Sequence, residues 1–294
     1  MPKIIQKFFL FSASTVFAFA LPQQTWATNT NSDAGFWPGK HDYLHVFPEG
    51  NARDFATAVW NGDIDGALLK AKSLPKGVNT VGGNCHTALE IAAYRHDLNM
   101  AKALVKAGAN PNGEPHCSPL VMAMHDGETN GFSEFATFLV KSGAQVDSKY
   151  QNHRAIDSAT IHGDQKVIRT LIDLHTNINE PSSKLINDYP ILTMAQMGYW
   201  TSVEYAIQHG ANIWVTGQFG DTVGSEALSN LNPDQFNKAY IYTDASPEKM
   251  EQEHQALLRV IQYLKESHYP WPSPSPEAIK KMVKEGKWPP KETK

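Results

Sequence analysis

Residues 87–112 read TALEIAAYRHDLNMAKALVKAGANPN. Apolar residues recur here at helical spacing, Leu89, Ile91 and Ala92 in one run and Ala101, Leu104 and Val105 in a second. Thr87 stands just ahead of the first run, where its hydroxyl accepts an otherwise orphaned backbone N–H. Gly108 ends the second run, where a left-handed residue closes a helix cheaply. The stretch predicts two short antiparallel helices and a tight turn. So small a pair cannot bury its own apolar face, so it needs neighbours of the same kind.

The neighbours are present. TALEIAA (87–93) aligns with SPLVMAM (118–124), RAIDSAT (154–160) and YPILTMA (189–195). The sixth residue of each forms a column, Ala92, Ala123, Ala159 and Met194, which Ala58 extends upstream and Ala227 downstream. The successive spacings are 34, 31, 36, 35 and 33 residues. Sixteen residues after Ala92 and Met194 come Gly108 and Gly210, and sixteen after Ala159 comes His175 in the same turn. Gly62, Gly163 and Gly198 fall four residues beyond the column. Pro119 and Pro190 open first helices, where a missing N–H is harmless.

This pattern resembles the ankyrin repeat, most closely in 87–112 and in IQHGANI (207–213), and spans about residues 52–270. The family's usual threonine-proline-leucine-histidine run lacks its histidine throughout, while Pro119 and Pro190 keep the proline. The resemblance implies an all-α solenoid of about six helix-turn-helix units with short finger hairpins. It also implies protein binding, with partners docking on the fingers and the first helices. The positions so marked are Trp60, Tyr94, Arg95, His125, Ile161, His162, Gln196 and Met197 on the helices. On the fingers they are Tyr150, Gln151, His153, Gln218 and Phe219. About half of these are expected to face solvent, with Ile161 and Met197 the first to cover a neighbouring repeat instead.

Two insertions break the period, one around 127–133 and a larger one over 229–252 inside the sixth unit. The latter delays a helix read as HQALLRVIQYLKES, and Glu248, Glu251 and Glu253 ahead of it read as a solvated helix start. After the Pro-rich turn 270–276, a last helix over 277–285 is expected to close the stack. Residues 28–51 form a leader without a clear period, and 271–294 a C-terminal capping helix and tail.

The N-terminus carries Lys3 and Lys7, then an apolar core from Phe8 to Leu21, too short to span a bilayer comfortably. Thr25-Trp26-Ala27 fits a signal-peptidase site, so residues 1–27 read as a signal peptide. A periplasmic or secreted location is the expectation. Removing those residues takes two lysines and shifts the net charge from −4 to −6. An acidic balance gives nucleic-acid binding little support, and no later run is long and apolar enough for a membrane span.

Cys85 and Cys117 fall at nearly the same place on adjacent fingers. In an exported chain a Cys85–Cys117 disulfide is the favoured reading. Two free thiols, or a zinc site made with His86 and His116, are alternatives, though the two-residue gap usual within a ligand pair is missing. No oxyanion loop, triad, dinucleotide motif or phosphate-loop lysine accompanies them, so no catalytic residue, metal or cofactor is assigned. His41 and His45 lie between prolines in the leader. The function so implied is a binding module, an inhibitor or immunity protein against a toxin or secreted enzyme. The alternatives are an enzyme with a site near Asp234, Tyr240, Tyr242 and Asp244, or an envelope adaptor.

Overall fold

The computed structural model describes residues 44–124, 131–150, 152–182, 188–240 and 246–290. The calls on residues 1–43, on His125 and Gln151, and on Tyr242 and Asp244 lie outside the described residues, as do most of the 127–133 insertion and the side chain of Tyr240.

Helices come in pairs. They are α1 (Asn51–Trp60) with α2 (Ile64–Ala71), α3 (Ala88–Tyr94) with α4 (Leu98–Lys106), and α5 (Pro119–Met122) with α6 (Phe132–Lys141). Next come α7 (Ala155–His162) with α8 (Gln165–Asp173), and α9 (Pro190–Gln196) with α10 (Trp200–Gln208). The sixth unit has α11 (Val223–Asn230), α12 (Pro233–Tyr240) and α13 (Pro247–Glu266), and α14 (Pro276–Lys284) follows. First helices pack on first helices in the order α1, α3, α5, α7, α9, α11. Second helices form the other layer, with α2 against α4 and α6, α8, α10 and α13 in succession. The result is an all-α ankyrin-type solenoid.

The column, alanine at every position but Met194, explains the close approach of the two layers. Ala92, Ala123, Ala159, Met194 and Ala227 have no exposed surface, and Ala58 is 6% exposed. Around them Leu89, Ile91, Met100, Leu104, Phe132, Phe135, Ile156, Ile168, Leu171 and Trp200 fill one continuous core. Thr87 caps α3 in a reciprocal box with Glu90. Asp63, Asp97 and Asp164 cap the second helices α2, α4 and α8. At the end of α8, His175 takes φ 65°, the left-handed turn that Gly108 makes at φ 98° after α4.

The fingers are short. One is a two-residue ladder, β1 (Lys149–Tyr150) with β2 (His153–Arg154), and two others close on the bridges Val81–Thr87 and Glu114–Cys117. Asparagines stitch three of the turns to the next, and Asp147 takes that place at Thr176 and Asn177. Asn79 donates to Gly108 O at 2.8 Å and accepts from Asn110 N at 2.8 Å, and Asn112 treats Gly143 and Gln145 the same way. Asn179 repeats the pattern with Gly210 and Asn212.

Two readings of the sixth unit change. The helix expected from His254 starts at Pro247, and part of the insertion is the helix α12. Glu253 is not solvated but 1% exposed. Its carboxylate accepts from Thr201 N at 2.7 Å, Thr201 Oγ1 at 2.9 Å and Gln165 Nε2 at 2.6 Å. It thereby satisfies an orphan N–H in the first turn of α10. Arg259 adds a bidentate pair to Glu204 at 2.6 and 2.8 Å, so α13 is locked along α10. At the far end Trp214, Tyr269 and Trp288 form an aromatic box, in which Trp288 Nε1 donates to Trp214 O at 2.9 Å.

Candidate partner-binding surface

The marked side chains hang from first-helix ends and finger loops. At the N-terminal end, Trp60, Tyr94 and Arg95 come together. The two rings lie 5.6 Å apart and the Arg95 guanidinium sits 5.1 Å from the Trp60 ring centroid. Trp60 is 7% exposed, because Tyr94 and Arg95 of the next unit cover it. Tyr94 is half-buried and Arg95 exposed. Tyr150 is also buried, since β1 packs on α5, whereas its ladder partner His153 is exposed. Trp60 and Tyr150 are therefore corrections to the list of surface positions. Both are packing residues.

The remaining positions are more open. Ile161 is 39% and Phe219 54% exposed, and His162, Gln196 and Gln218 are exposed. Met197 packs half-buried against the core. Gln196 Nε2 donates to Asp221 Oδ2 at 3.0 Å, tying the end of α9 to the finger that carries Phe219. That finger turns at Gly220, φ 86°, where a Cβ would lie 2.1 Å from Pro276 O, so only glycine lets it rest on α14.

Three carboxylates lie along this end, which the sequence reading did not single out. Asp188 accepts from Ser182 Oγ at 2.9 Å and Thr193 Oγ1 at 2.8 Å. Burial, aided by the charge of Asp188, raises the pKa of Asp221. Burial and then the charge of Asp221 push Glu226 up to about 7. Their positions carry no motif, because Asp188 and Asp221 follow from loop geometry and Glu226 from the burial of the first turn of α11. A cleft of about 40 Å³ between α7 and α9 is lined by His153, Asp157, Thr160, Ile161, Ser182, Asp188, Pro190 and Thr193. It is small beside the roughly 300–1,000 Å³ of typical small-molecule sites.

The raised Glu226 has a testable consequence. Its folded pKa of about 7 exceeds the unfolded value of 4.5, so the folded state keeps a proton that the unfolded chain releases. Stability due to this group is full below pH 4.5 and is lost as pH rises toward about 7. Allowing for solvent screening of a half-buried group, the loss is roughly 1–2 kcal/mol. Glu226→Gln should remove that slope. Chemical denaturation of both proteins at pH 5 and pH 7.5 should show the variant gaining on the wild type at the higher pH. An unchanged difference contradicts the assignment.

Cys85 and Cys117 are joined as a disulfide, with Cα atoms 6.2 Å apart. His86 is 4% exposed, and its Nδ1 lies 3.5 Å from Glu90 Oε2. Among the described residues no group of three or more His, Cys, Asp or Glu side chains is placed to hold a metal ion. Asp234, from the alternative enzymatic site, is exposed at the start of α12. No helix among the described residues is long and apolar enough to cross a membrane.

Stacked helix pairs and finger loops define a repeat scaffold that leaves several side chains exposed on first-helix ends and fingers. The family model described as ankyrin repeats (3 copies) matches residues 89–182, the second to the fourth helix pairs of the stack. Ankyrin repeats are protein–protein interaction modules. The fold is similar to the ankyrin repeat domain of Bcl-3, a member of the IkappaB protein family. That likeness has a TM-score of 0.53 at 17% identity and covers 66% of this chain and 87% of that one. It is also similar to an ankyrin repeat domain from Acinetobacter baumannii AYE, with a TM-score of 0.52 at 20% identity, covering 64% of this chain and 96% of that one. At these identities the likeness is one of fold. No curated protein sequence matches the chain.

Proposed function

We propose that this chain binds one protein partner in the periplasm or secreted space and acts by covering it, as an inhibitor or immunity protein against a toxin or enzyme. The observation that carries the reading is the set of exposed side chains on first-helix ends and fingers: Arg95, His153, Ile161, Gln196, Gln218 and Phe219. Arginine and aromatic side chains are the types that dominate interface energy. Their supports are buried and hydrogen-bonded, so little ordering entropy is lost on docking. The net charge of −6 that remains after loss of residues 1–27 favours a basic partner surface and faster encounter. The exported location is supported by the basic start, apolar core and Thr25-Trp26-Ala27 of the first 27 residues.

Expression with the native N-terminus, followed by fractionation, intact mass and affinity capture, tests both parts. The expected product is extracytoplasmic, begins at Thr28 and retains one stoichiometric protein. A cytoplasmic product that keeps Met1 or Pro2 contradicts the location. Saturated enzymatic turnover in the absence of any retained protein contradicts the binding role.

A further inference from the structure

The finger that carries Cys85 has a second neighbour. On one side its disulfide reaches Cys117 on the next finger. On the other side it touches the segment ahead of α1. Gly83 N donates to Val46 O at 2.6 Å. The Phe47 ring packs close to Gly82, where a Cβ would come within 3.0 Å of Phe47 Cδ2 and 3.1 Å of Val46 O. Phe47 has no exposed surface, and Leu44 and Val46 pack partly against the core. The segment 44–50 is thus held from two sides, by α1, where Arg53 N and Nε donate to Pro48 O at 3.0 Å and Phe47 O at 3.2 Å, and by the backbone of a loop only two residues from the disulfide.

That loop adopts a backbone few residues choose. Asn84 and Cys85 have φ of 55° and 61°, and His116, beside the other cysteine, has φ of 66°. Consecutive left-handed non-glycine residues persist only when their surroundings impose them. The surroundings here are the covalent bond and the packing of Cys117 Sγ against Asn84 O at 3.5 Å. The bond is also open to attack at one end, because Cys85 is half-buried while Cys117 is 4% exposed.

We propose that the Cys85–Cys117 disulfide is a redox latch that holds residues 44–50 on the first two repeats through the Gly82–Gly83 backbone. A thiolate of a small dithiol attacks Cys85 Sγ. The Cys85–Cys117 bond breaks and Cys117 leaves as a thiolate, which takes up a proton. The second thiol of the reductant then displaces Cys85 from the mixed disulfide. Two electrons and two protons pass to the protein, and the reductant becomes a disulfide. The freed loop relaxes out of its left-handed conformation, the Gly83–Val46 hydrogen bond is lost, and Phe47 loses its packing on Gly82. The effect is local, because the later repeats contact only their own neighbours.

Hydrogen exchange read by mass spectrometry on the full chain tests this, with dithiothreitol as the reductant and alkylation reporting the state of both cysteines. Amides of 44–50 and 82–86 should exchange at least ten-fold faster in the reduced protein, while those of α9 and α10 stay within two-fold. The Cys85→Ser/Cys117→Ser variant should match the reduced wild type without reductant. If that variant does not fold, the reduced wild type alone decides, with α9 and α10 as its internal control. Unchanged exchange in 44–50 at complete reduction overturns the latch. So does equal acceleration along the whole chain, and so does failure of the bond to form in glutathione at an oxidising ratio.

Discussion

Replacing Arg154 by alanine should lower the stability of the chain by about 3–5 kcal/mol, the usual loss when one member of a buried ion pair is removed. Arg154 stands at the N-cap position of α7, where Thr87 and Ser118 stand in the preceding units. It is 1% exposed. Its Nη2 and Nε donate to the two carboxylate oxygens of Asp157 at 2.7 and 3.1 Å, and its Nη1 and Nη2 donate to Asn177 O and Glu180 O at 2.8 and 2.7 Å. One side chain therefore joins the start of the fourth unit to the finger that begins the fifth. Alanine leaves Asp157, itself 3% exposed, as a buried carboxyl without its guanidinium partner, although the backbone N–H at position 154 still donates to it. The double variant Arg154→Ala/Asp157→Ala removes that charge and should recover roughly 1–2 kcal/mol of the loss. Urea denaturation of the three proteins measures both terms. A single variant within about 0.5 kcal/mol of wild type, a size usual for surface changes, contradicts the buried geometry.

Glu253→Ala should destabilise by about 2–4 kcal/mol, because it strips charge-assisted hydrogen bonds from buried donors. Thr201 N–H in the first turn of α10 and Gln165 at the head of α8 both lose their acceptor. The N-terminal end of α10 also loses a negative charge that its dipole favours. Glu253→Gln keeps the shape and one acceptor oxygen, so it should lose about half as much. Because Glu253 belongs to α13, the damage should appear first as faster amide exchange in α13 and α10. Exchange confined to α12 contradicts the locking role.

The repeat frame was legible from small residues and caps. Ala92, Ala123 and Ala159 must be small for two layers to approach, and Thr87, Ser118, Asp97 and Gly108 punctuate helices by local chemistry that any sequence displays. The buried charges were not legible. Arg154 looks like an ordinary finger arginine until Asp157, Asn177 and Glu180 surround it, and those partners come from two units. Glu253 sits in EKMEQEH, whose composition reads as solvent-facing, and only the docking of α13 on α10 buries it. The surface list erred in the same way. Trp60 and Tyr150 occupy positions that face outward in an isolated pair, and the neighbouring unit covers them. Phe219 stays 54% exposed beside the turn at Gly220 that rests on α14.

The binding face is tested most directly by the affinity of the captured partner for four proteins, measured by titration calorimetry. These are the wild type, Phe219→Ala, Arg95→Ala and Lys102→Ala, the last an exposed change on the second helix of its unit. Phe219→Ala and Arg95→Ala should each weaken binding by about 1–3 kcal/mol. Phe219→Ala should leave the melt unchanged, and Lys102→Ala should bind as the wild type does. Wild-type affinity in both Phe219→Ala and Arg95→Ala, or an equal loss in all three variants, would contradict binding through the fingers and first helices.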